Sequence, residues 1–105
     1  MVNMLKLVKQ AQSMQKNIEK LQAELAERQF EFSAGGGIVT AVVKGDMNVV
    51  RITIKPEAVD PSDVGMLEDL VVTAVNGALQ AARETMSTEM AKVTGGMGGM
   101  GLPGF

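Results

Sequence analysis

Along the first quarter of the chain the apolar residues Met4, Leu7, Ala11, Met14, Ile18, Leu21 and Leu25 recur at steps that alternate between three and four. Sustained over three heptads, this spacing predicts one long helix whose apolar stripe packs on another helix, in the same chain or in a partner. No Gly or Pro interrupts the stretch.

The period then shortens to two. Phe30-Glu31-Phe32-Ser33-Ala34 alternates apolar and polar residues before the triplet Gly35, Gly36 and Gly37, which reads as a strand entering a hairpin. Ile38 to Lys44 is rich in β-branched residues, Gly45-Asp46-Met47-Asn48 supplies turn chemistry, and Val49 to Lys55 forms a third strand before Pro56. Three consecutive antiparallel strands make a meander. In the third, Val50, Ile52 and Ile54 share one face and Arg51, Thr53 and Lys55 the other, as in a sheet with one wet side. The middle strand carries apolar groups on both faces, Val39, Ala41 and Val43 against Ile38 and Val42. One face can meet the helices, and the other invites a partner.

Asp60-Pro61-Ser62-Asp63 predicts a helix start, with Asp60 as N-cap and Pro61 in the first helical position. The second helix follows, with Leu67, Leu70, Val71, Ala74, Ala78, Ala81 and Ala82 on one face, increasingly small toward its end. After Thr94 the sequence becomes Gly95-Gly96-Met97-Gly98-Gly99-Met100-Gly101, then Leu102-Pro103-Gly104-Phe105. Glycine at this density favours the unfolded ensemble, so residues 95–105 read as a flexible Gly/Met-rich tail; the alternative gives Met97, Met100, Leu102 and Phe105 a docking role.

The fold class is therefore α+β: a long N-terminal helix, a three-stranded antiparallel meander and a long second helix within a single domain over residues 1–94. A first helix of about 39 Å outreaches strands of about 23 Å, so it overhangs the sheet. An apolar seam does not hang in water, which predicts that the overhang is clamped on the second helix as a protruding two-helix arm.

Composition mainly excludes. The chain of 105 residues has no Cys, so neither a disulfide nor a thiolate metal site, and no apolar run of membrane-spanning length, which together predict a cytoplasmic protein without a membrane partner. His is absent too, removing the commonest general base and metal ligand. Ser13, Ser33, Ser62 and Ser87 lie outside any nucleophile-elbow context. Neither glycine-rich stretch fits a phosphate-binding loop. The expectation is a protein with no catalytic residue, cofactor, metal or small-molecule substrate. A chain this short buries a modest fraction of its surface, which favours a homodimer.

Charge changes the picture by its distribution. Up to Gln22 the chain carries Lys6, Lys9, Lys16 and Lys20 against the single Glu19, a net of +3, leaving −5 for the rest of a chain whose total is −2. With Met4 as heptad position a, Lys6 and Lys20 fall at c and Lys9 and Lys16 at f, opposite the seam. Gln12, among other amides, lies between them and can hydrogen-bond phosphate oxygens without reading sequence. Lys6, Lys9, Gln12, Lys16 and Lys20 are the candidate DNA-binding residues.

The chain resembles the YbaB/EbfC family of nucleoid-associated DNA-binding proteins. The resemblance rests on the helix start Lys9 to Gln15, Gly37 before the middle strand, Gly45 in the turn, Pro56, the run Met66 to Val71, Ala74, Asn76 and Ala78, and the ending Leu102-Pro103-Gly104-Phe105. Lys55 departs from the family, which often has an acidic residue before the proline. The resemblance implies an intertwined or tweezer-like homodimer whose helical arms contact duplex DNA with little sequence preference, in the nucleoid, where it contributes to nucleoid organisation and gene regulation. The competing reading is a helical protein-protein interaction or scaffold module without direct DNA binding.

Overall fold

A computed structural model describes residues 3–101, with side chains up to Val93. The elements run α1 (Met4–Glu27), β1 (Gln29–Ala34), β2 (Val39–Lys44), β3 (Val49–Ile54), a 3-10 turn (Pro56–Ala58) and α2 (Val64–Gly101). The three strands form one antiparallel sheet in the order β1-β2-β3, as the alternating pattern predicts.

Each junction has a local cause. Asn3 caps α1, its Oδ1 accepting from the amides of Leu5 at 3.0 Å and Lys6 at 3.4 Å. The glycine triplet turns the first hairpin with all three residues at positive φ. In the second turn the Asp46 carboxylate accepts from the Asn48 amide at 3.1 Å, and Met47 takes the left-handed conformation at φ 70°. The N-cap of α2 is not Asp60. Asp60 closes a turn on Ser62, and Asp63 stands before the helix with its Oδ1 accepting from the Met66 amide at 3.2 Å. Pro61 thus belongs to that turn, because Asp63 is the carboxylate within reach of the helix's third amide.

The core lies between the sheet and α2. Phe30 and Ala34 of β1, with Val39, Ala41 and Val43 of β2, meet Ala74, Ala78 and Ala82, three fully buried alanines spaced by one helical turn. Small side chains at that spacing let the helix lie close on the strands. Phe32 rests on Gly77, where any Cβ would strike its ring. On the opposite face Ser33 and Thr40 share a 2.7 Å hydrogen bond. Val42, expected to need a partner, is already buried within the chain.

What remains uncovered is β3. Its Val49, Val50, Ile52 and Ile54 are between 38% and 47% exposed, because the buried core joins α2 to β1 and β2 and includes no residue of β3. Register places Ile54 opposite Val39 and Ile52 opposite Ala41, on the core side of the sheet but beyond the helix. A register shift at Val42/Val43 then sets Val49, rather than Val50, opposite Val43.

The chain is elongated, 75 × 27 × 16 Å, with a radius of gyration of 20.3 Å, against about 13 Å for a compact chain of this length. At 24 residues α1 is about 36 Å long and overhangs six-residue strands of about 20 Å. The backbone of α2 continues to Gly101, so seven residues of the expected tail prolong the helix. Leu102 to Phe105, including two of the residues considered as anchors, lie outside the described residues.

Candidate nucleic-acid interface

The arm is fixed at its base by backbone. Gly45 packs directly against the carbonyl of Leu25, an approach that no residue with a Cβ could make, and its amide donates to the Arg28 carbonyl at 3.0 Å. Beside it, Lys44 Nζ reaches Glu27 at 3.1 Å and Asp46 at 3.8 Å, joining the end of α1 to the second turn. Hydrogen bonding to Glu27 and its charge hold the Lys44 ammonium above its ordinary value. The pair is open to water and contributes direction more than stability.

From this base the seam opens outward. Leu25 is buried, Leu21, Ile18 and Met14 are half-buried, and Leu7 and Met4 are exposed. The expected clamp therefore closes only near the sheet. A groove of about 1180 Å³ runs along the seam, where Leu7, Ala11, Met14 and Ile18 with Val93 of α2 share the lining with polar residues that include Lys6 and Lys9, so these two lysines border the groove as well as the outward face.

Lys6, Lys9, Gln12, Lys16 and Lys20 are all exposed on α1. Ion pairs among the described residues engage Lys44 and Lys92, and none of the described carboxylates stands within pairing distance of the four α1 lysines. They form one continuous cationic face on a projecting helix. Arg51, Lys55 and Arg83 are also exposed but lie elsewhere, on β3, the segment after it, and α2. The heptad seam omits Leu5 and Val8, two apolar residues of α1 at positions b and e that are 72% and 50% exposed. Counting the same heptad for apolar residues outside a and d would find them.

Among the described residues there is no cluster of three or more potential metal ligands, and no helix is long and apolar enough to cross a membrane.

Known proteins are similar to this chain in sequence or in fold. The chain is 54% identical over 103 residues to a protein of Acetivibrio thermocellus named nucleoid-associated protein, covering 98% of this chain and 89% of that one. It is 55% identical over 100 residues to a protein of the same name from Alkaliphilus metalliredigens, covering 95% and 88%. The crystal structure of an uncharacterized protein from Helicobacter pylori superposes with a TM-score of 0.73 at 17% identity, covering 90% of this chain and 99% of that one, a likeness of fold. The profile of the YbaB/EbfC DNA-binding family matches residues 1–97, and the chain belongs to that family.

Proposed function

We propose that this protein is a nucleoid-associated homodimer that grips duplex DNA with the lysine faces of its two α1 arms, with little sequence preference, in the bacterial cytoplasm. The observation that carries the reading is the α1 face itself: Lys6, Lys9, Lys16 and Lys20, with Gln12 among them, exposed and without a carboxylate partner among the described residues. Lysine meets phosphate as a point charge, whereas base reading usually requires bidentate side chains in a groove. The names of the relatives support the nucleoid as the setting. Nucleoid organisation and an influence on gene expression follow from coating or joining duplex segments.

The dimer is supported by the uncovered β3 face. Val49, Ile52 and Ile54, opposite Val43, Ala41 and Val39, form a row of apolar side chains that one chain leaves 38–47% exposed. A second copy laid on that row removes its apolar surface from water.

The groove along the seam favours the second reading, a module that binds a partner helix. Salt separates the two. Binding to duplex DNA weakens steeply as salt rises, because counterions are released, whereas an apolar seam meeting a helix tolerates salt. Fluorescence anisotropy with a labelled duplex across a salt series decides between them: affinity that is absent at low salt contradicts the DNA reading.

A further inference from the structure

Leu5 stands outside the apolar seam of α1, between Val8 on one side and Lys9 on the other. On the heptad count it occupies position b, the position of Gln12 one repeat later, with Lys6 and Lys9 beside it at c and f. It is 72% exposed, and its neighbour Met4 is 74% exposed. A helix laid on the seam covers positions a and d and their flanks e and g, and does not reach b. Neither α2 nor a partner helix in the groove would therefore bury Leu5. The backbone that carries it is held in place, since the Leu5 amide is one of the two that Asn3 caps.

The surface that covers Leu5 must carry charge opposite to Lys6 and Lys9 and also accept an apolar side chain. Duplex DNA offers both. Phosphates border each groove, and a base step parted by Leu or Met accepts the side chain as a wedge, kinking the duplex. Leu5 lies in the first turn of α1, at the outer end of the arm, so it can enter without the helix body following. That matters because a helix about 10–12 Å across does not fit a minor groove of about 6 Å.

We infer that Leu5 is an apolar wedge that inserts at a base step while Lys6 and Lys9 hold the flanking phosphates, so that binding distorts the duplex. The inference rests on the DNA reading above. It assigns Leu5 to distortion and the lysines to electrostatic attachment, two effects that separate experimentally.

The test uses the full chain and a duplex of about 30 base pairs, carrying a fluorophore pair at its ends or 2-aminopurine within it. Wild type should raise end-to-end energy transfer or unstack the reporter base. Leu5→Ala should lose most of that signal and bind roughly ten- to fiftyfold more weakly, the scale of up to three buried carbons removed, with an unchanged salt dependence. Leu5→Phe, which retains a wedge, should keep the signal. Lys6→Ala with Lys9→Ala should instead make the salt dependence shallower. Tight binding by wild type with no distortion, or a Leu5→Ala protein equal to wild type, overturns the wedge while leaving DNA binding in place. If no duplex binds at low salt, the DNA reading fails and the wedge with it. If Leu5→Ala alters only binding to phosphatidylglycerol vesicles, measured against phosphatidylcholine vesicles, the residue belongs to an anionic lipid surface and the wedge is wrong.

Discussion

Gly45 and Leu25 meet through backbone alone: the glycine's Cα faces the leucine carbonyl with no room for a Cβ between them. This approach sets the angle at which α1 leaves the sheet, and so the direction of the lysine face. Gly45→Ala should force the end of α1 away from the second turn. We expect a loss of about 1–3 kcal/mol, as for other overpacked sites, seen as a fall of several degrees in the thermal midpoint. An unchanged midpoint would show that the arm is not held there.

The β3 face should govern association. Ile52→Asp places a charge within the uncovered apolar row, at a residue that is 38% exposed and outside the buried core cluster. Six such side chains, three from each copy and each already more than half covered within its own chain, contribute together roughly 4–7 kcal/mol before entropy is subtracted. Sedimentation at micromolar concentration should therefore find wild type as a dimer and the variant as a folded species of 11.1 kDa. Wild type sedimenting only at that mass would remove the dimer.

The element order, the meander and the overhanging first helix are legible in the sequence because each rests on a period or a local turn signal. The heptad from Met4 to Leu25 marks α1, and its c and f positions mark the exposed lysines. What is not legible depends on where elements lie across one another. Nothing local to Val42 says that it is buried within the chain, nor to Ile52 that α2 stops short of it. Asp60 and Asp63 both fit the cap pattern of α2, and only geometry shows that Asp63 is the one reaching Met66. The heptad alone implies a seam covered along its whole length, but burial fades from Leu25 to Met4.

Removal of residues 95–105 should leave the fold and the dimer intact. Four glycines between 95 and 99 each disfavour helix by about 1 kcal/mol relative to alanine, so this stretch of α2 adds little stability. Circular dichroism and sedimentation of the truncated chain should match the parent, with a midpoint shift under about 4 °C. Unfolding or monomerisation would instead favour a docking role for the terminal apolar residues.

The turn before α2 should respond to acid. Ser62 donates to the Asp60 carboxylate through its hydroxyl at 2.7 Å and its amide at 2.9 Å, which holds that carboxyl below its ordinary value of 3.8. A carboxyl lowered in the folded state stabilises above its unfolded value and loses that contribution as pH falls through the folded one. Asp60→Asn should therefore lower the thermal midpoint slightly at neutral pH, and the difference from wild type should shrink as pH falls past 3.8 and vanish once it is below the lowered folded value. A difference that persisted in strong acid would mean that the carboxylate charge is not its source.

The most direct measurement is the salt dependence of duplex binding by wild type and by the double variant Lys9→Ala, Lys16→Ala. Both residues are exposed on the outward face of α1, where alanine suits a helix, so fold and dimer should be preserved. If about 4–6 lysines of a dimer engage phosphates, log affinity should fall against log salt with a slope of roughly −4 to −5. The double variant should bind more weakly, with a slope shallower by about 2 to 4, one for each phosphate no longer engaged on one or both arms. Unchanged affinity and slope in a folded, dimeric variant would contradict the account and make the lysine stripe an ordinary solvated face.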